Sequence, residues 1–336
     1  MSETPSQEST ARPWWVWLNV LGLDAVFTAL LWMALYAYAS GARLVRAEYV
    51  VLACAVWCVY AMDRILDGTM TGGLRGERHV FAARRWLPLT AAMLVAAGVC
   101  VWLLGWHIRE IVSVWGFKVL IGIAIYFGIT WLSRREWTGL VGAASLGGII
   151  AVGLMQGAAS GVIWVQIWRG ALAGFILTVL YLSVRQPLAP APWTLPRKLL
   201  GGWLFAMGTA LAPYAHKEMP LELISSNDVL LFGAVCALNS LGIRLWEKSP
   251  RDFEHTLLEQ LYPWMLLTVA AGAGMQWSIA DIYSRPLIMA TLIAALLLLV
   301  IHLLRRRIAV SVLRALADAA MIVAAASMLA LIAFRS

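Results

Sequence analysis

Charge is what this sequence most lacks. Of its 336 residues only 13% are Asp, Glu, Lys or Arg, while 62% are hydrophobic, and the mean hydropathy is +0.79. A soluble domain carries roughly 25% charged residues, so a chain this poor in charge is read as an integral membrane protein. Cysteine is equally scarce. The four thiols, Cys54, Cys58, Cys100 and Cys236, lie in apolar runs, which excludes a disulfide framework and fits small packing residues; Cys54 and Cys58, one helical turn apart, share a face. Five histidines, His79, His107, His216, His255 and His302, include no His-x-x-His and no i, i+4 pair. That spacing excludes a haem bundle, a zinc hydrolase and the histidine boxes of a di-iron oxygenase. No Walker-type glycine loop and no Gly-x-Ser-x-Gly elbow occurs.

Apolar runs long enough to cross a bilayer are what the sequence has instead. They fall at 14–39, 46–66, 86–105, 111–132, 138–158, 163–184, 198–215, 228–246, 258–280, 286–304 and 312–334. The expected fold is an all-α polytopic membrane bundle of about eleven transmembrane helices, nine or ten if a short run is re-entrant. Residues 1–12, polar and short, are expected to be a disordered leader, and residues 13–336 a single transmembrane domain. The first run is about twice as long as a signal-peptide core and lacks a cationic start, so it reads as a true span.

Positive charge collects in the loops after even-numbered runs, among them Arg75, Arg78, Arg84, Arg85, Arg251, Arg305, Arg306 and Arg307, which places those loops and the amino terminus in the cytoplasm. The net charge of +8 is then a topology signal together with attraction to anionic headgroups of membrane lipids, and nucleic acid is not an expected partner. Tryptophans near run ends, such as Trp14, Trp86, Trp106 and Trp203, read as interfacial anchors. Gly153, Gly157 and Gly161 suit close helix packing, and Pro187 to Pro196 a stiff loop. Lys118, in the outer half of its run, is expected to snorkel.

The few ionisable groups inside the runs carry the functional reading. Asp63 and Asp67 lie four residues apart at the end of the second run, hence on one helix face and about 6 Å apart along the axis. Ionisable groups at a membrane boundary are costly, and this pair suits a divalent cation gripping a phosphate-bearing ligand; the alternative is a solvated helix end in which Arg64 neutralises one Asp. Counted along straight helices, Asn19 lies roughly 8 Å, Asp24 about 15 Å and Asp318 about 9 Å below the cytoplasmic surface. Asn239 lies two turns before Glu247. Groups so placed would line a polar cavity open to the cytoplasm.

Asp63-Arg64-x-x-Asp67-Gly68, ending a second helix and followed by a basic loop, resembles the first aspartate-rich motif of the UbiA superfamily of intramembrane prenyltransferases. A bacterial UbiA-like branch is more similar still, in Asn19 and Asp24, Tyr60 before Asp63 and Asp67, Arg78-His79-Val80-Phe81, Asn239 to Trp246-Glu247, and Arg314-Ala-Leu-Ala-Asp318. The resemblance implies a helical bundle around a cavity in the bacterial cytoplasmic membrane, its site facing the cytoplasm. It implies transfer of a prenyl group from a polyprenyl diphosphate to a lipophilic or aromatic acceptor, with Mg²⁺ as cofactor. Asp63, Asp67 and Glu247 would hold the metal, with Asn239 as a further oxygen donor. Arg78, Arg84, Arg85, Lys248 and Arg251 would contact diphosphate, and Tyr60, Arg64, His79, Asn19, Asp24 and Asp318 the substrates.

The sequence departs from the family pattern at Val59, where the motif usually has Asn, at Ile243 between Asn239 and Glu247, and in two extra runs. Two alternatives follow. One is a catalytically degenerate relative that binds an isoprenoid, quinone or lipid as an assembly subunit. The other is a secondary transporter using Asp24 and Asp318.

Overall fold

The computed structural model describes residues 19, 21–70, 81, 84–132, 194–218, 226–247 and 253–335. Among them nine α-helices form and no strand: α1 (Leu23–Ser40), α2 (Arg46–Met70), α3 (Trp86–Trp106), α4 (Glu110–Leu132), α5 (Thr194–His216), α6 (Asn227–Glu247), α7 (Phe253–Ile279), α8 (Arg285–Leu304) and α9 (Val310–Arg335). Each coincides with one of the apolar runs. The runs at 138–158 and 163–184, the leader 1–12, the glycine repeat at Gly153 and the proline loop lie outside the described residues. Five helices, α1, α3, α6, α8 and α9, are long and apolar enough to cross a membrane. This is the composition of a helical membrane protein.

Helix α6 is the axis of the core. It is buried along most of its length and packs on α5, α7, α8 and α9. Its approach to α5 is close because glycines meet there: a Cβ on Gly202 would lie 2.4 Å from the Gly233 carbonyl oxygen and 2.6 Å from the Ala237 nitrogen. Close backbone contact between small residues is how helices gain packing where no water drives them together. Trp32 of α1 stacks on Phe232 of α6 with ring centroids 4.0 Å apart. The outer side is α3, where Leu94, Val95, Val101, Trp102 and Trp106 are exposed and only Leu103 is buried. Such an outward apolar surface suits hydrocarbon. On α4, Lys118 lies over the Trp115 ring, 3.9 Å from its centroid.

Contacts between distant residues set the direction of each helix. At one end, Glu247 at the close of α6 meets Arg314 at the start of α9, and His255 near the start of α7 donates to the Leu245 carbonyl at 3.0 Å. At the other end, Tyr36 late in α1 donates to the carbonyl of Asp228 at the start of α6, and Tyr214 late in α5 donates to the Asp228 carboxylate at 2.9 Å. Gly22, just before α1, lies against Tyr60 and Arg64 in the carboxyl half of α2, so the carboxyl ends of α2 and α6 lie at the same end as the amino ends of α1 and α9.

One expectation is corrected. A single straight helix from residue 14 would put Asn19 and Asp24 at different depths. Instead Gly22 is left-handed, at φ 75° and ψ 18°, and α1 starts only at Leu23. A residue with a Cβ is strained in that conformation, so glycine is what allows the turn.

Candidate functional site

The turn at Gly22 brings Asn19 back over the start of α1. Its side-chain Nδ2 donates to Asp24 Oδ2 at 2.7 Å and to Asp318 Oδ2 of α9 at 2.8 Å. Asn239 of α6 donates to the other oxygen, Asp318 Oδ1, at 3.1 Å. Asp24 Oδ1 accepts from the Ala25 backbone N–H at 2.9 Å. Four polar residues from three parts of the chain thus form one network, in which two carboxylates are within reach of the same amide nitrogen.

A cation from α2 lies beside this network. Arg64 is buried, and its Nη1 lies 3.3 Å from where a Cβ on Gly22 would stand. Tyr60, one turn before Arg64 and so on the same helix face, packs against the same glycine and lies within electrostatic reach of Asp24, Asp318 and Arg64. Its ring is edge-on to Phe205 of α5, with centroids 6.4 Å apart. Withdrawing the buried Asp24 and the partly buried Asp318 from water without partners would be costly, and the amides of Asn19 and Asn239 offset that cost. Asn239 Oδ1 is buried without a hydrogen-bond partner, so the network keeps one acceptor oxygen in hand.

Six of the residues singled out from the sequence, Asn19, Asp24, Tyr60, Arg64, Asn239 and Asp318, are therefore brought together. The others are placed differently. Asp63 is half-buried beside Arg64, and Asp67 follows in the last turns of α2 with a side chain outside the described residues. Glu247 lies two turns beyond Asn239 and forms an ion pair with Arg314, itself one turn before Asp318. Arg84 and Arg85 are exposed at the start of α3. Arg78, His79, Lys248 and Arg251 lie outside the described residues. Among the described residues, no three His, Cys, Asp or Glu side chains converge as a metal site.

A second polar cluster, at the opposite end, went unmarked in the sequence. Arg109 Nη1 in the α3–α4 turn donates to His216 Nδ1 at 3.5 Å, which leaves the Nε2–H to donate to Glu48 Oε1 at 2.8 Å. Glu48 is buried, and its Oε2 accepts the Val45 backbone N–H at 2.8 Å, the reach-back of a carboxylate at the third helical position. That half of a capping box was the only sequence signal, and Val45 at the cap position hid it. Compared with family models, curated proteins and solved structures, the chain has no match.

Proposed function

We propose that the chain is a UbiA-like membrane prenyltransferase working at the cytoplasmic face of a bacterial inner membrane. It would take a polyprenyl diphosphate where α2 and α6 end, and pass the prenyl group to a lipophilic or aromatic acceptor beside the Asn19, Asp24, Asp318 and Asn239 network. One observation carries this reading: the helix ends bearing Asp63, Asp67 and Glu247 lie at the same end of the bundle as that network.

The donors named for the cation fit magnesium in kind. They are all oxygens, and Mg²⁺ commonly uses one or two carboxylates together with water and substrate phosphate. The reading assigns the cation to Asp63, Asp67 and Glu247, the last of which meets Arg314. Bound there, Mg²⁺ would offset the charge developing on a departing diphosphate. The chain's own contribution is orientation and dryness. Arg64, seated against Gly22, fixes a positive charge beside the acceptor network. The apolar helices around it keep water from an allylic cation.

The Glu247–Arg314 pair also favours a second reading, a relative that binds an isoprenoid, quinone or lipid without turnover, because the pair engages a carboxylate of the second motif. The test is to supply geranylgeranyl diphosphate and Mg²⁺ to protein in lipid nanodiscs with a membrane extract as acceptor source, and to seek prenylated products by mass spectrometry. The enzyme reading expects product, lost in Asp63→Ala and Asp67→Ala. Tight binding without product supports the second reading. No diphosphate binding and no co-purified isoprenoid would sink both.

A further inference from the structure

Between α8 and α9 the chain carries three consecutive arginines, Arg305–Arg307, folded as a single 3₁₀ turn. Three residues per turn send successive side chains to three different sides. Arg305 turns onto α7, where its Nη2 donates to Glu259 Oε1 at 2.6 Å, while its Nη1 donates to the His302 carbonyl at 3.0 Å. Its charge is thereby neutralised. Arg306 and Arg307 are exposed, and among the described residues neither forms an ion pair.

The surface just before these two arginines is apolar. Leu303 is 66% and Leu304 41% exposed, and Val310, which opens α9 beyond the turn, is exposed as well. Residues three apart share a side of a helix, so Leu303 lies below Arg306 and Leu304 below Arg307. Each free guanidinium therefore stands at the rim of an apolar surface. Water suits the arginines and hydrocarbon suits the leucines, so the partner that satisfies both carries acyl chains and a negative head. The guanidinium fork matches phosphate oxygens. A zwitterionic lipid offers the same phosphate, but it brings an ammonium toward two uncompensated cations.

We propose that Arg306 and Arg307 form a headgroup site for an anionic phospholipid, the phosphate taken by the two guanidiniums and the acyl chains lying along Leu303 and Leu304. The Arg305–Glu259 pair fastens the turn to α7 and so holds the other two arginines outward. Bound there, the lipid seats the junction of α8 and α9 at the membrane boundary.

The test titrates lipid-depleted full-length protein in non-ionic detergent with phosphatidylglycerol or phosphatidylcholine and counts bound lipid by native mass spectrometry. Phosphatidylglycerol should bind the more tightly, and an equal concentration of inorganic phosphate should not displace it. The joint variant Arg306→Gln, Arg307→Gln should weaken phosphatidylglycerol about thirtyfold, at roughly fivefold for each arginine near a lipid surface. The joint variant Arg285→Gln, Arg335→Gln, which removes the same charge at the opposite end, should leave the affinity unchanged. Wild-type protein supplies a second measurement that needs no variant to fold. In phenylglyoxal modification followed by peptide mapping, phosphatidylglycerol should protect Arg306 and Arg307 and leave Arg335 reactive. Equal affinity for the two lipids, displacement by inorganic phosphate, undiminished binding in the Arg306 and Arg307 variant, or no protection of these two residues would overturn the proposal.

Discussion

Asn19 donates its side-chain amide to Asp318, 299 residues further along the chain, at 2.8 Å. That bond fastens the approach to the first helix onto the last, and it does so at a partly buried carboxylate. The same amide also serves Asp24, so one neutral side chain holds two anions of the site in register.

Removing that amide should therefore cost more than a surface hydrogen bond. Asn19→Ala leaves the buried Asp24 and the partly buried Asp318 short of a donor, and a loss of about 1 to 3 kcal/mol is expected. Denaturant unfolding in mixed micelles would measure it. Asn19→Asp, similar in size but adding a third carboxylate, should be at least as damaging. A wild-type midpoint in either variant would mean that the network does not hold the ends together.

Helix packing offers a sharper contrast. Gly202→Ala places a methyl 2.4 Å from the Gly233 carbonyl oxygen, where backbone rather than a flexible side chain must yield. Overpacking of this kind costs about 1 to 3 kcal/mol. Gly208→Ala, in the same helix, meets nothing within 4 Å and should be neutral or slightly stabilising, by up to about 1 kcal/mol. Thermal midpoints of the two variants, compared in one detergent, test the α5–α6 contact.

The sequence disclosed what depends on length and apolarity, and hid what depends on meeting across the chain. Runs such as 228–246 and 286–304 became helices at nearly those bounds because an apolar stretch has one economical backbone state away from water. Asn19, Asp24, Asn239 and Asp318 stood out because polar residues in such runs need partners. Their pairing was less legible. A straight first helix would have kept Asn19 apart from Asp24, and only the left-handed Gly22 folds it back. Glu48 and His216, 168 residues apart, share no local pattern at all. The Arg314 partner of Glu247 was visible as a neighbour of Asp318 one turn away, yet nothing in spacing said which carboxylate it would choose.

The loop between α7 and α8 gives a pH prediction outside the spans. Partial burial pushes the Asp281 carboxyl up, but hydrogen bonds from the Ser284 N–H and hydroxyl and the Tyr283 N–H, together with Lys217, outweigh it and hold the group below the usual carboxylate range. A depressed folded value means stability that is present above the unfolded value of about 3.9 and lost as pH falls through the folded one. Asp281→Asn should accordingly lower the midpoint at neutral pH, and the gap to wild type should close below about pH 4. A gap that stays constant with pH would assign the loop's order to geometry rather than charge.

The Glu247–Arg314 pair decides how the two carboxylate motifs divide their work. Both side chains are partly exposed, at 25% and 20%, so the pair should be worth about 1 kcal/mol in a double-mutant cycle of Glu247→Gln and Arg314→Gln. If Asp63 and Asp67 carry the cation, Glu247→Gln should leave the Mg²⁺-induced rise in thermal midpoint with prenyl diphosphate intact, and Asp63→Ala should abolish it. Loss of that rise in Glu247→Gln would mean instead that the cation draws Glu247 away from Arg314. In that case Arg314→Gln, which removes the competitor, should enlarge the rise.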